Sequence, residues 1–311
     1  MEVVRLDSLE PRGWPKAALA VGNFDGVHRG HQALVALAVQ DARAAGGTSV
    51  VLTFDPHPSR VLSPDRAPTS LMTLGQKAEI LAGLGVDRLA VLPFTVELSR
   101  REPDEFARDV LQGALAARVV AVGSSFRFGR GRTGDLATLR RLGDALGFRV
   151  HGQRPVLARG GPISSTRIRE ALSRGDVDAA RDLLGRRFFV DGAVVRGDGR
   201  GRGIGIPTAN LDVMNETVPG GGVYACWCRV LGEASPPRPA AVNVGRRPTF
   251  GGAVTIVEAH LLDFDADLYG RTLRVEFEER LREERKFPGP EALVAQIRSD
   301  IVEARRLLRA P

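Results

Sequence analysis

The sequence predicts two domains of different class, an α/β domain with a parallel sheet and a smaller antiparallel β-domain that ends in a helix. Over residues 1–185, apolar strand-like segments alternate with helical segments, which is the pattern of a parallel, doubly wound sheet. From residue 186 to 311, strand-like segments separated by turn residues follow one another, and only the C-terminal end has helical periodicity. The chain of 311 residues is long enough for each domain to bury a core.

The elements of the first domain follow from hydrophobic periodicity. Apolar, β-branched runs bounded by turn residues predict buried strands, and apolar residues at helical spacing predict the helices between them. The predicted strands cover residues 17–21, 48–54, 88–92 and 118–122, and the predicted helices cover 32–43, 74–84 and 103–115. Such sheets bind ligands beyond the carboxyl ends of their strands, which is where we expect a site.

The second domain is predicted to be a small antiparallel barrel or sandwich, closed by a terminal helix. Its strands are predicted at residues 188–196, 222–231, 240–244, 254–262 and 272–281, and its helix near 290–308. Cys226 and Cys228 are the only cysteines and stand at i and i+2 of one predicted strand. They would face the same side, where an unstrained disulfide rarely forms, so we expect two packed thiols.

Composition limits the classes of partner. The net charge of +7 comes almost entirely from arginines interleaved with acidic residues, because lysine occurs only at positions 16, 77 and 286. This basic character favours the approach of nucleotides but identifies no nucleic-acid partner. No apolar run reaches the roughly 20 residues of a membrane span, and the first residues lack the features of a signal peptide. We expect a cytoplasmic protein with neither a nucleic-acid nor a membrane partner, and the sequence leaves a homo-oligomer open.

The most informative segment is residues 21–31, VGNFDGVHRGH, in which an apolar strand leads into glycine-spaced histidines. His28 and His31 are three residues apart at a predicted helix start, so their imidazoles share one face above the free N–H groups of the first turn. This end of a helix favours phosphate, and Gly22 and Gly30 let the backbone approach a ligand closely. Since no P-loop motif occurs, the segment predicts another kind of nucleoside-triphosphate site.

Three further segments are expected at strand ends of the first domain. In TFDPHP, residues 53–58, prolines flank His57 and make a rigid loop; a plain turn is the alternative. In GSSFRFGRG, residues 123–131, phenylalanines beside arginine suit stacking on a flat ring, whereas the alternative folds these rings into the core. In ISSTRIR, residues 163–169, hydroxyls cap a helix whose first turn also holds arginines, which an ordinary N-cap explains less well than an anion site.

These four segments, in this order, make the first half resemble prokaryotic FAD synthetases of the HxGH nucleotidylyltransferase superfamily, which have a Rossmann-like domain. The resemblance implies transfer of an adenylyl group from ATP to FMN, with release of pyrophosphate and with Mg²⁺ bridging the phosphates. It implies that His28 and His31 bind the triphosphate and stabilise the developing charge. The other nucleotide or phosphate contacts implied are Gly22, Asn23, Phe24, Asp25, Gly30, Ser164, Thr166 and Arg169. The flavin contacts implied are His57, Ser125, Phe126 and Phe128.

One position departs from the pattern of that family. Ser125 stands where the loop usually carries an aspartate or an asparagine. Because the serine side chain is shorter, its contact to the nucleotide would run through water. We therefore expect slower FAD formation than in enzymes that carry the longer side chain.

The second domain carries a glycine at every second position from Gly197 to Gly205, followed by PTAN at residues 207–210. Such a loop can close over phosphates, and the Thr208 hydroxyl and Asn210 amide suit a hard cation such as Mg²⁺. The alternative is an RGG-like segment that binds RNA, but residues 190–223 lack the aromatic residues on which bases stack. Glu258 lies in a predicted strand where alternation favours an apolar residue; a solvent-facing glutamate is the alternative.

With these segments, the second half resembles riboflavin kinases. The match also includes GVYA at 222–225, NVGRRPTF at 243–250, DLYG at 267–270 and LREERKF at 281–287. The resemblance assigns Thr208 and Asn210 to Mg²⁺–ATP, and it makes Glu258 the general base toward the terminal ribityl hydroxyl. Arg246 stands where the family often has threonine, which we expect to matter little. The remaining predicted contacts are Gly199 and Gly205 to phosphate, and Arg285 and Phe287 to the flavin.

Together the two halves imply consecutive steps, in which riboflavin and ATP give FMN, and FMN and ATP give FAD. Two alternatives stay open at this point. One is a chain that is active in only one half, and the other is a flavin-binding or RNA-binding regulator that keeps the fold without catalysis. The histidine pair together with Glu258 favours the enzyme, because a binding module has little use for a general base.

Overall fold

The computed structural model describes residues 1–197, 205–249 and 252–308. Its contacts divide the chain into two compact units. The first comprises Met1–Thr69 and Leu74–Ile163, and the second comprises Ser70–Thr73 and the chain from Ser164 onward. The helices that follow Ser164 therefore group with the second unit, while the domain limits drawn from the sequence pattern, 1–185 and 186–311, stay a prediction.

The first unit contains the predicted parallel sheet. Its six strands are β1 (Glu2–Arg5), β2 (Ala17–Val21), β3 (Ser49–Asp55), β4 (Arg88–Pro93), β5 (Ala117–Gly123) and β6 (Arg149–Gln153). Their order is β1-β4-β3-β2-β5-β6, and all neighbouring pairs are parallel. The four predicted strands are confirmed as β2 to β5, and the two edge strands go beyond the prediction.

The strand order reverses between β2 and β5. From β2 the chain continues to β3 and β4 on one side, and it then crosses to β5 and β6 on the other. Open α/β sheets bind ligands beyond the carboxyl ends of the strands that flank such a reversal. The segments that follow β2, β3 and β5 carry the histidine pair, His57 and the GSSFRFGRG loop, so the topology supports the predicted place of the site.

The helices of the first unit are α1 (Arg29–Ala45), α2 (Pro58–Leu62), α3 (Leu74–Gly83), α4 (Val96–Ser99), α5 (Pro103–Glu105) and α6 (Leu136–Leu146). Helix α5 continues as a π-helical segment, Phe106–Ala114, which confirms the predicted helix over 103–115 with wider turns at its end. The π-helical segment buries Val110 and Leu111 in the main core, together with apolar residues of β2, β3 and β5. A short hairpin, β7 (Leu157–Ala158) and β8 (Gly161–Pro162), follows β6.

The second unit contains a closed antiparallel barrel, which settles the predicted choice between barrel and sandwich. Its strands are β9 (Phe189–Val195), β10 (Ala209–Val213), β11 (Gly222–Val230), β12 (Arg238–Thr249), β13 (Gly252–Leu261) and β14 (Thr272–Arg282). Around the barrel the order is β10-β13-β12-β11-β14-β9, and β9 pairs with β10 to close it. The helices are α7 (Ser165–Ser173), α8 (Val177–Leu184) and the predicted terminal helix, α9 (Pro290–Leu307). The strand β10 goes beyond the prediction.

Alternation along β11 separates the inside of the barrel from its outer face. Tyr224, Cys226 and Cys228 lie inside and are fully or almost fully buried, and the Tyr224 ring meets Phe277 edge-on at 5.3 Å. The two cysteines are free thiols, as the sequence predicts. Burial raises the pKa of both thiols, so they stay protonated and unreactive in the folded barrel.

The terminal helix α9 covers part of the outer face of the barrel. Ala304 and Leu308 pack against Ala225 and Ala241, whose small side chains let the helix approach the strands. Among the described residues, no helix combines the length and the hydropathy that crossing a bilayer requires.

Candidate active sites

The turn after β2 is held in a left-handed backbone conformation. Phe24 has φ 49°, Gly26 has φ 82° and Val27 has φ 39°. Glycine adopts such angles freely, but each of the other two residues does so at a cost of about 1–2 kcal/mol. The fully buried Phe24 ring and a hydrogen bond from the Val27 N–H to the Phe24 carbonyl, 3.3 Å, stabilise the turn. Strain held in this way is typical of binding turns.

His28 begins helix α1 as its N-cap. Its Nδ1 accepts a hydrogen bond from the His31 backbone N–H at 3.2 Å, and the two imidazole rings stack with centroids 3.6 Å apart. Gly30 makes room for this arrangement, because a Cβ there would lie 3.1 Å from His28 Cε1. Both histidines therefore lie at the positive end of the helix dipole, as the sequence predicts.

The environment of His31 favours its neutral form. Burial, the neighbouring His28 and the Lys77 ammonium group lower the pKa of His31 well below its usual range. Its Nδ1 is buried and has no hydrogen-bond partner within the part of the chain that the structure describes. A neutral imidazole with an unpartnered ring nitrogen at a helix N-terminus is suited to bind a ligand there.

Lys77 is a residue of this site that the sequence analysis missed. It projects from α3 and is only 9% exposed, and its Nζ donates to the Asn23 carbonyl at 2.8 Å and to Thr53 Oγ1 at 3.2 Å. Burial lowers the pKa of Lys77, while Asp25 and Asp55 act in the opposite direction. The one available signal was its rarity, since it is one of three lysines in an arginine-rich chain.

The turn after β3 meets the turn after β2, as their common position at the sheet edge predicts. The Asn23 side-chain Nδ2 lies 3.0 Å from His57 Nε2. His57 also begins α2 as its N-cap, and its Nδ1 contacts the Ser59 hydroxyl at 2.6 Å. His57 therefore has a structural role in this turn, as the alternative interpretation predicts, while its contact with the flavin stays a prediction.

The loop after β5 places its two phenylalanines differently. Phe128 is 6% exposed and packs against Phe106 in the core, at 5.9 Å between ring centroids. Phe126 is partly buried and stacks on Phe128 at 5.5 Å, and Ser125 is exposed. The core-packing alternative therefore accounts for Phe128, whereas Phe126 and Ser125 keep surface that a ligand could meet. Flavin contacts of all three residues stay predictions.

The ISSTRIR segment begins helix α7 in the second unit. The Ser164 hydroxyl is the N-cap and accepts from the Arg167 backbone N–H at 3.3 Å, which confirms the capping interpretation. Thr166 is exposed and Arg169 is partly buried. The proposed phosphate contacts of these residues stay predictions.

In the barrel, three polar residues face one another across neighbouring strands. Asn210 of β10 pairs directly with Glu258 of β13, and Glu258 pairs in turn with Asn243 of β12. Directly opposed residues of antiparallel strands project from the same face of the sheet. All three side chains are partly buried, and none makes a hydrogen bond to another described residue. Such a row of unpaired amide and carboxylate groups is suited to bind a polar ligand.

The segment before β10 is fixed against the same row. The His260 Nδ1 contacts the Pro207 carbonyl at 2.7 Å, which ties the PTAN segment to β13. Thr208 is partly buried and lies two residues from Asn210, so both side chains project to one side of the extended chain. Gly197 leaves room for the Asn210 amide, because a Cβ at residue 197 would lie 2.7 Å from Asn210 Oδ1 and closer still to Asn210 Nδ2.

Glu284 is a second carboxylate at this end of the barrel. A Cβ on Gly221 would lie 2.7 Å from its Oε2, and a Cβ on Gly245 would lie 2.6 Å from its Oε1 and 3.5 Å from Asn243 Nδ2. The Glu284 carboxylate therefore fits here only because these two glycines have no side chains. Neither Glu284 nor Asn243 is singled out by the sequence patterns, although both lie in segments that match the riboflavin kinases.

The remaining predicted residues of the second unit are placed as follows. Two guanidinium groups lie near the Phe287 ring, that of Arg285 at 5.0 Å and that of Arg282 at 5.5 Å from its centroid. Arg285 also donates to the Gln296 side chain. Their flavin contacts stay predictions. Gly205 is exposed with φ 76°, and Gly199 lies outside the described residues, as does the side chain of Arg246.

Comparisons with known proteins agree with this two-part organisation. The family model of FAD synthetase matches residues 10–167, and the model of riboflavin kinase matches residues 184–308. The bifunctional riboflavin kinase/FMN adenylyltransferase of Escherichia coli K12 is 39% identical over 287 residues, covering 92% of this chain and 91% of that protein. The chain belongs to the bifunctional riboflavin kinase/FMN adenylyltransferase family. Its substrates and products are accordingly ATP, riboflavin, FMN and FAD.

Other members of the family match over similar lengths. The Pseudomonas fluorescens enzyme is 40% identical over 311 residues and covers 99% of this chain and 98% of its own. A crystal structure from Streptococcus pneumoniae, described as a macrolide-efflux protein, is 31% identical with a TM-score of 0.89, covering 97% of this chain and 98% of its own. The family therefore confirms the predicted enzyme, with FMN adenylyltransferase in the first half and riboflavin kinase in the second.

Proposed function

We propose that the two reactions take place at two separate sites, one around His28 and His31 and the other around Asn210 and Glu258. The observation that carries this is the division of the chain into two compact units, with the stacked histidine pair in the first and the paired Asn210 and Glu258 in the second. Each set contains polar groups without a hydrogen-bond partner among the described residues, which is what a ligand site leaves open.

At the first site, the FMN phosphate attacks the α-phosphorus of ATP. A new P–O bond forms to the flavin phosphate, the bond between the α-phosphorus and the bridging oxygen breaks, and pyrophosphate leaves with the electron pair. Such a reaction needs alignment and charge stabilisation more than a nucleophilic side chain. The imidazole N–H groups of His28 and His31 and the N-terminus of α1 would stabilise charge on the phosphate oxygens. Ser164, Thr166 and Arg169 are proposed to hold the β- and γ-phosphates.

At the second site, Glu258 is the general base. It would accept the proton of the terminal ribityl hydroxyl as that oxygen attacks the γ-phosphorus of ATP, and ADP leaves. The flanking amides of Asn210 and Asn243 support this role, because they can hold a hydroxyl or a phosphate oxygen beside the carboxylate without competing for the proton.

The residues near Glu258 also fit a Mg²⁺ ion. Magnesium prefers hard oxygen ligands and keeps several waters, so one or two protein oxygens beside the phosphates are enough. The Thr208 hydroxyl and the Asn210 amide oxygen provide two such groups, and the Asn210 side chain has no other partner among the described residues. The ion would neutralise charge on the phosphate oxygens. No group of three or more His, Cys, Asp or Glu side chains is placed to bind a metal in the described part of the chain.

Two variants test the division between sites, with FMN and FAD separated by chromatography. Glu258→Gln should lower FMN formation by at least about 10²-fold, the usual contribution of a general base, and leave FAD formation from supplied FMN unchanged. His28→Ala should do the reverse. Glu279→Gln, an exposed glutamate of the same barrel, is the matched control for the first variant. Loss of both activities from a folded variant would contradict separate sites.

A cytoplasmic location and the lack of nucleic-acid or membrane partners are also proposed, on the sequence grounds given above. The flavin contacts of His57, Ser125, Phe126, Phe128, Arg285 and Phe287 are part of the same proposal. Support for them comes from their places beside the two sites in sequence and, for the first, from the contact between His57 and Asn23.

A further inference from the structure

Lys77 is a buried cation whose charged form is favoured by Asp25 and Asp55 without a direct ion pair. It is 9% exposed, and no carboxylate among the described residues forms an ion pair with its ammonium group. Burial still outweighs the attraction to Asp25 and Asp55, so an apolar side chain would cost less at this position if packing were its only purpose. Of its three N–H donors, two are used within the described structure, by Asn23 and Thr53.

One of these hydrogen bonds ends at Asn23, in the turn that presents the histidine pair, and the other ends at Thr53 in β3. The Asn23 carbonyl accepts from Lys77 Nζ at 2.8 Å and from the Thr53 hydroxyl at 3.0 Å, so donors from α3 and β3 converge on one oxygen. The next residue, Phe24, already has the left-handed backbone conformation of the turn. The ammonium group therefore fixes the point at which the chain leaves β2 and enters the strained turn.

We propose that Lys77 is a positioning residue of the FMN adenylyltransferase. Its ammonium group holds the Asn23 carbonyl and so keeps the turn in the conformation that places His28 and His31 at the phosphates. It also adds positive charge at the edge of the sheet where a polyphosphate binds. The inference rests on the proposed function of the histidine pair. The proposal gives helix α3 a direct part in shaping the site, although α3 lies outside the sequence motifs.

The test compares Lys77→Met, which keeps the length of the side chain, with Lys77→Arg, which keeps a donor and a charge. Lys16→Met is the matched control, because the Lys16 ammonium also donates to a backbone carbonyl, that of Ala45 at 2.9 Å, but precedes the opposite end of β2. For FAD formation, Lys77→Met should lower kcat by about 10²-fold, as expected when catalytic groups are displaced by about an ångström, with a smaller change in KM for ATP. Lys77→Arg should recover part of kcat, and Lys16→Met should match the unmodified protein.

Riboflavin kinase activity of the same molecules is the internal reference and should stay unchanged in all three variants. An unchanged kcat in Lys77→Met, or equal losses in the Met and Arg variants, would overturn the proposal. If Lys77→Met does not fold, Thr53→Val decides, because it removes one of the two donors to Asn23; it should lower kcat, and an unchanged kcat overturns the proposal. His28→Ala distinguishes a failure of the proposed function of the histidine pair from a failure of the proposed role of Lys77. If His28→Ala retains FAD formation, the proposed function fails. If His28→Ala loses FAD formation while Lys77→Met does not, only the role of Lys77 fails.

Discussion

The imidazole rings of His28 and His31 lie face to face, with centroids 3.6 Å apart and planes 11° apart. Two positive charges about 4 Å apart repel by about 4 kcal/mol at an effective dielectric constant of about 20, so the pair resists double protonation. The nearby Lys77 ammonium group acts in the same direction on His31. We therefore expect His31 to take part in the proposed reaction in its neutral form, as an N–H donor to phosphate oxygens rather than as a fixed charge.

The first prediction concerns the titration of His31. Since the folded pKa lies below the unfolded value of about 6.5, the unfolded chain binds more protons between these two values. The contribution of His31 to stability is therefore complete above about pH 6.5 and is lost as the pH falls through the lowered pKa. NMR of the histidine rings, assigned with His31→Gln, should show His31 still neutral at pH 6. A midpoint near 6.5 would contradict the stacked, buried arrangement.

Gly30→Ala separates stability from activity at the first site. Alanine is favoured over glycine in a helix by up to about 1 kcal/mol, but the new Cβ would lie 3.1 Å from His28 Cε1 and displace the ring. We expect thermal stability to change little and FAD formation to fall by about 10-fold, because the histidine moves from its place. Gly83→Ala in α3 is the control, since a Cβ there meets open space. Normal FAD formation by Gly30→Ala would show that the stacked geometry is not needed.

Gly197→Ala tests the place of Asn210 in the barrel. The new Cβ overlaps the Asn210 amide, which can rotate away at little cost in stability but then leaves its position opposite Glu258. FMN formation should fall by about 10-fold or more, and FAD formation from supplied FMN should not change. Gly289→Ala, where no atom lies within 4 Å of the new Cβ, is the matched control. An unaffected kinase in Gly197→Ala would argue against the proposed role of Asn210.

Ser125→Asn tests the one departure from the family loop. Ser125 is exposed, so the longer side chain fits without disturbing the core and could reach the nucleotide directly. We expect a several-fold faster FAD formation from FMN and ATP, on the scale of about one added hydrogen bond. Steady-state rates of both activities, measured on the same preparation, check this. No change in the rate of FAD formation would mean that Ser125 does not limit the reaction.

The strands that the sequence predicts best are those buried on both faces. Strand β2 coincides with its predicted range, because all five of its residues are buried and form one apolar run. Strand β1 is an edge strand with mostly exposed residues, and β10 contains Asn210 and an aspartate, so neither has the apolar signal of a strand. Tertiary pairing alone makes these segments strands.

The residues of the candidate sites also differ in how clearly the sequence indicates them. The histidine pair, PTAN and Glu258 stand out as candidates in the sequence because their chemistry is local to a short segment and differs from its surroundings. Lys77 does not stand out, because its proposed role depends on contacts that helix α3 makes with Asn23 and Thr53 only in the folded chain. Asn243 and Glu284 likewise acquire meaning only when the barrel closes and brings them beside Glu258 and two glycines.

The most direct test of two separate sites is a mixing experiment that starts from riboflavin, ATP and Mg²⁺. His28→Ala alone should stop at FMN, and Glu258→Gln alone should leave riboflavin almost unconverted. A mixture of the two variants should form FAD, because FMN released by the kinase site of one molecule is a substrate for the adenylyltransferase site of the other. Failure of the mixture to form FAD, while each variant keeps its remaining activity, would contradict the independence of the two sites.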